Sequence, residues 1–131
     1  MKGSFTFGKK ERLSHRKDID SLFDQGNSFT LAPFRILYRI HGNPEETAVK
    51  VLITIPKRKF RHAVDRNRLR RLIREAYRLN KHLLADKAEL ASNSMHIGFI
   101  YTADQVIMPF AEIEKSMIRC LERLAEKVAR G

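Results

Sequence analysis

Residues 65 to 78 read DRNRLRRLIREAYR, six arginines in fourteen positions, and a helix carrying that much like charge persists only if it is seated on something apolar. At 100° per residue with Leu69 at zero, Leu72, Ile73, Ala76, Leu79 and Leu83 fall between about 280° and 40°. Arg66, Arg70, Arg71, Arg74, Arg78 and Lys81 fall between about 60° and 200°. One face is therefore cationic and the other apolar. Like charges four residues apart oppose each other by a few tenths of a kcal/mol per pair, and only Asp65 and Glu75 answer them locally. Burying each Leu or Ile returns about 1.5–3 kcal/mol, enough to hold the helix, from about Asp65 to Leu84, against a sheet. Asp65 suits the first turn, where a carboxylate meets free amides and the positive end of the dipole.

The charge is local. Lys57 to Lys81 carries eleven basic residues against two acidic, a balance of +9 within a whole-chain charge of +11. A solvating coat would be spread evenly and would use opposite-charge pairs. A membrane-surface helix would set bulky aromatics beside its leucines, and only Tyr77 lies near that boundary. Phosphate is the better partner, because a guanidinium presents five donors in a fixed fork and clamps an anion with two of them. Asn67, in the first turn, adds a donor and acceptor suited to a ribose hydroxyl or a base edge.

In 131 residues, 43% of them hydrophobic, there is material for one domain with a core. The single cysteine, Cys120, excludes an intrachain disulfide and a paired-cysteine zinc site; it reads as a core residue of the last helix. Five histidines are dispersed without metal-ligand spacing, and His62 serves either a phosphate or the connector. No apolar run reaches the length of a membrane span, and MKGSFTFGKKERLSH has no signal-peptide core. These features point to a reducing, cytoplasmic setting.

The remaining elements follow from local pattern. After a basic lead-in, Ser14 can cap a helix through RKDIDSLFDQG that stops at Gly26, with Ile19, Leu22 and Phe23 on its apolar side. Within residues 28 to 40, Phe34, Ile36 and Tyr38 alternate with Arg35, Leu37 and Arg39, as in a strand. HGNPEE at 41 to 46 reads as a loop and AVKVLITI at 48 to 55 as a second strand, expected to pair antiparallel with the first. Pro56 disfavours a central place for it. MHIGFIY at 95 to 101 makes a third strand whose glycine marks a close approach or a bulge. Ile113, Met117, Leu121, Leu124 and Val128 then line a final helix from about Phe110 to Val128. The order helix, two strands, helix, strand, helix predicts an α+β two-layer sandwich, one RNA-binding domain over residues 1 to 131 with its ordered core at about 11 to 128.

The connector and helix together, KRKFRHAVDRNRLRRLIREAYR at 57 to 78, resemble the protein subunit of bacterial ribonuclease P. RNRLRRLIRE fits that family's Arg-Asn-Arg signature and the basic, apolar and Arg-Glu positions after it; SHRKDIDSLFDQG and RILYRI fit in order. The resemblance implies the ribosomal protein S5 domain 2-like fold, with a left-handed crossover through the arginine helix, a hand that the general preference for right-handed crossovers would not suggest.

The resemblance also implies a function: binding a catalytic RNA subunit and the 5′ leader of precursor tRNA, and assisting endonucleolytic removal of the leader to leave a 5′-phosphate. Lys57, Arg58, Lys59, Arg61, Arg66, Asn67, Arg68, Arg70, Arg71, Arg74 and Arg78 would lie against the RNA subunit. A cleft between the first helix and the sheet would take the leader at Ile19, Phe23 and Tyr38, where an aromatic ring can stack on any base. Phe34 and Ile36 share the strand face of Tyr38 and belong either to that cleft or to the core. Two departures stand out: isoleucine at 19 where the family commonly has phenylalanine, and Arg61-His62 where many members have Gly-Asn. No carboxylate or histidine set resembles a protein nuclease centre, so magnesium is expected to be held mainly by the RNA, and no membrane or obligate protein partner is expected. The alternative class is a ribosome-associated structural RNA-binding protein; a DNA-binding regulator fits less well, since the basic helix has no helix-turn-helix partner.

Overall fold

The computed structural model describes residues 7–41, 48–104 and 106–130; the loop expected in HGNPEE therefore lies, beyond His41, outside the described residues. A 3-10 turn at Lys9–Glu11 leads into helix α1, Arg16–Gln25. His15, rather than Ser14, occupies the N-cap, and no side chain caps the first turn. Gly26 ends the helix by donating its amide to the Leu22 carbonyl. Its backbone is extended (φ −73°), so glycine is required for space: a Cβ there would collide with the Leu22 carbonyl oxygen.

Four strands follow in the sheet order β1-β2-β4-β3: β1 Asn27–Leu31, β2 Phe34–His41, β3 Val49–Thr54 and β4 Ser94–Tyr101. β1 and β2 form a hairpin, β2 pairs antiparallel with β4, and β3 pairs parallel with β4. The expected antiparallel pairing of the two strands flanking HGNPEE is thus overturned. β4, apolar on the face of Met95, Ile97, Phe99 and Tyr101 and buried along nearly its whole length, takes the central slot between β2 and β3. β3, stopped before Pro56, stays at an edge, where Arg12 bridges to Val51 and the Leu13 amide donates to the Val51 carbonyl.

Strand alternation sorts the sheet into two faces. On one, Phe34, Ile36 and Tyr38 join Val51, Ile97 and Phe99 in the main core. Helices α2 (Ala63–Asn80), α3 (His82–Ala91) and α4 (Phe110–Arg130) cover that face. Ile113, Met117, Cys120, Leu121, Leu124 and Val128 of α4 are all fully buried, as their spacing predicts. On the other face Leu37 meets Leu22 and Leu13 in a small separate cluster under α1, with Ile19, Leu52 and Ile100 at its margin. The α+β sandwich gains a partial third layer from α1. Gly98 lies beneath it in unbroken register with Leu37 and Leu52, so it is not a bulge, and a Cβ there would stand at ordinary contact distance, 3.4 Å, from the Leu22 side chain.

The arginine helix is shorter than its periodicity suggests. Asn80 turns its side-chain amide back to the Ala76 carbonyl at 2.8 Å and also donates to Glu114 at 3.0 Å, a side-chain competition that disfavours a continuing helix. Lys81 separates the arginine helix from α3, so Leu83 belongs to a second helix. α3 closes at Ser92, a non-glycine residue in the left-handed conformation (φ 55°) whose amide satisfies the last carbonyls.

Candidate nucleic-acid interface

Leu69, Ile73, Ala76 and Tyr77 fix the roll of α2 by facing the core. Tyr77 is 1% exposed, packs edge-on against Phe7 at 5.3 Å and meets Phe99 at 6.1 Å. Burial in this apolar setting, with Glu11 nearby, raises its phenol far above the ordinary tyrosine range. The wheel had put Tyr77 at the edge of the apolar arc. Its burial rolls the buried side toward Arg66, which is spent on structure: its Nη1 donates to the Phe60 and Arg61 carbonyls at 2.6 and 3.2 Å. That bond fastens the basic connector to the first turn of the helix.

The other cations divide by partner. Arg78 holds Glu75 through two nitrogens, at 2.9 and 2.8 Å. Glu75 is lowered by that hydrogen bond and Arg78 raised by it. Lys81 pairs with Glu11 at 2.6 Å, and Lys59 with Asp104 at 2.6 Å as well as the Thr102 carbonyl. Lys57, Arg58, Arg61, Arg68, Arg70, Arg71 and Arg74 have no carboxylate partner among the described residues.

Asn67, Arg70, Arg71 and Arg74 line one shallow hollow on the outer side of α2. Arg70 donates to the Asn67 side-chain oxygen at 3.2 Å, which orients both. Partial burial, then Arg12 and Arg70, lower Arg74 from the ordinary guanidinium value. Arg12 therefore belongs to the cluster, carried to it by the segment bridged to β3, with its guanidinium 5.5 Å from the Phe7 ring. Sequence spacing could not have found it, because more than fifty positions separate it from Arg70. Guanidinium groups crowded together without acidic neighbours form a site for a multiply charged anion.

The residues expected to line the leader cleft are divided between the two sheet faces. Ile19 is half-buried beside α1's small cluster and Phe23 is 48% exposed. Phe34 and Ile36 are fully buried in the main core, and Tyr38, 7% exposed, turns the same way to meet the Phe29 ring at 5.9 Å. The strand alternation was read correctly, but Leu37 is the member of β2 that seats α1, so Phe34, Ile36 and Tyr38 point away from it. On the α1 side β2 presents Arg35, Leu37 and Arg39, by register beside Thr30, Gly98 and His96. Farther along that face His41 and His96, far apart in sequence, meet Nε2 to Nδ1 at 3.2 Å. His62 is exposed, and its carbonyl accepts the amides of Asp65 and Arg66 at the start of α2.

A family model described as Ribonuclease P matches residues 7–125. A relative from Porphyromonas gingivalis named "Ribonuclease P protein component" is 38% identical over 130 residues, 98% of this chain and 94% of its own. One of the same name from Chlorobaculum tepidum is 36% identical over 109 residues, 77% and 70% of the two chains. Among solved structures, the RNase P protein from Thermotoga maritima superposes with a TM-score of 0.66 at 24% identity, over 86% of this chain and 96% of that one. The Staphylococcus aureus RNase P protein gives 0.65 at 19% identity, over 88% and 95%; these two likenesses establish the fold. A match across nearly the full length of a close relative, together with an arginine surface left unneutralised among the described residues of the shared fold, makes this chain a member of the ribonuclease P protein family, with RNA as its partner.

Proposed function

We propose that the protein is the subunit that seats a catalytic RNA on the outer face of α2 and guides the 5′ leader of precursor tRNA across the opposite sheet face beneath α1. The observation carrying this reading is the grouping of Arg12, Asn67, Arg70, Arg71 and Arg74, whose guanidinium groups no carboxylate among the described residues neutralises. Two RNAs brought together repel, and cations fixed on a folded scaffold reduce that repulsion without the loss of freedom that free counterions would suffer. The protein's contribution is positioning and screening.

Hydrolysis of the phosphodiester belongs to the RNA in this reading. Guanidinium nitrogens have no lone pair for a cation, so the surface that meets RNA does not fit magnesium, and magnesium is assigned to the RNA subunit. For the leader, Phe23 is the aromatic ring left open to solvent on α1, and Arg35 and Arg39 lie on the same side of the sheet. Stacking on Phe23 contributes about 1–3 kcal/mol without demanding a sequence.

The test is precursor-tRNA cleavage reconstituted with and without the cognate RNA subunit at low magnesium. Cleavage is expected only when both are present, with the 5′-phosphate on the mature tRNA. Robust cleavage by the protein alone would overturn the reading. Replacing Arg70 and Arg74 together by alanine should weaken assembly and raise the magnesium needed for activity.

A further inference from the structure

Away from α2, at the edge of the sheet formed by β1, Lys115, Arg119, Arg123 and Lys127 recur every fourth residue along α4. Successive members stand about 6 Å apart along the axis, so like charges oppose one another at each step. Glu112, Glu122 and Glu126 are three residues from members of the row, yet none of the four cations is ion-paired among the described residues. Arg123 instead lies over the Phe29 ring of β1, 4.8 Å from its centroid. This holds the guanidinium against the strand at the sheet edge.

Next to this row, where the β1–β2 turn meets α4, is a cavity of about 250 Å³. Leu31, Pro33 and Met108 supply its apolar wall; Lys115, Arg119 and Glu112 supply its charged rim. Ser116 is committed to the Leu31 and Ala32 carbonyls, at 3.3 and 2.8 Å, and fixes the turn against the helix. An apolar wall with two cations on its rim, against the single carboxylate of Glu112, suits a nucleobase turned out of a strand with its phosphate held by Lys115 and Arg119, and paired bases in a duplex cannot be presented that way. Single-stranded RNA is thus the matching occupant. Arg35, exposed on the α1 face at the same end of the sheet, leads toward this edge.

We propose that the β1 edge and the Lys115–Arg119–Arg123 row of α4 form a second RNA-binding surface, which takes the distal part of the precursor's single-stranded leader after it leaves the α1 face. The assignment rests on the leader-guiding role proposed above. It makes the protein's grip on substrate extend around the β1 edge of the sheet, with the RNA subunit on α2.

The experiment uses reconstituted holoenzyme and two precursor tRNAs, one with its full leader and one trimmed to the nucleotides nearest the cleavage point. Lys115→Ala/Arg119→Ala/Arg123→Ala should bind the full-leader precursor about tenfold more weakly, with a salt slope smaller by about 2. Binding of the trimmed precursor and assembly with the RNA subunit should stay unchanged. Lys115→Glu/Arg119→Glu, which keeps the Arg123–Phe29 contact, should show a larger loss of the same leader-dependent kind, with unchanged circular dichroism. No loss for the full leader, equal loss for both precursors, or a loss confined to assembly would each overturn the proposal. If the unaltered holoenzyme cleaved neither precursor, the fault would lie with the function assigned above.

Discussion

Gly26, Ser92, Cys120 and Phe23 show how single positions here are decided by space, backbone and burial. Gly26→Ala drives a methyl group into the Leu22 carbonyl and should cost about 1–3 kcal/mol, an overpacking penalty readable as a lower midpoint in urea unfolding. Ser92 holds a left-handed conformation that glycine adopts without strain, so Ser92→Gly should raise stability by about 0.5–1 kcal/mol in the same assay. Burial pushes the Cys120 thiol up to about 12. A thiol raised this way stabilises the folded protein below its unfolded value of about 8.5, and that contribution is lost as pH climbs from there toward the folded value. Alkylation of Cys120 should therefore proceed only as fast as the protein unfolds, and equal rates in native and urea-unfolded protein would contradict its burial. Phe23→Ala should weaken binding of leader-bearing precursor tRNA while sparing the leaderless form, whereas Tyr38→Ala should chiefly lower stability, because its ring is packed in the core.

Among the elements, those with one-sided hydrophobic patterns were legible and those defined by long-range pairing were not. The apolar row of α4 was readable to within a few residues, because a 3.6-residue repeat needs no knowledge of what it packs against. The arginine helix was readable in place and in its two faces, but Asn80 stops it through side-chain bonds that periodicity does not register. α3 was missed for the same reason. β2 and β3 were recognised as strands and then wrongly joined, since sequence proximity favours a hairpin and the nonpolar run of β4 outcompetes it for the centre. The cleft suffered from parity: alternation grouped Phe34, Ile36 and Tyr38 correctly, while which face met α1 depended on Leu22 reaching Leu37. That contact is testable as an element. Leu22→Ala should cost about 2–5 kcal/mol and loosen α1 from the sheet, impairing leader-dependent binding more than assembly with the RNA subunit.

At the scale of the molecule, charge is arranged around a sheet with helices on both sides. If about six cations of the α2 surface meet phosphates, affinity for the RNA subunit should fall by about three orders of magnitude between 50 and 200 mM salt; a binding constant indifferent to salt would exclude this surface as the contact. The order β1-β2-β4-β3 carries a further implication. The strand that joins β2 to β3 is the last of the four to be synthesised, so a nascent chain can display every arginine of α2 and still lack the seat that aligns them. Alignment of that arginine surface therefore waits on synthesis of β4, which follows α2 in the chain.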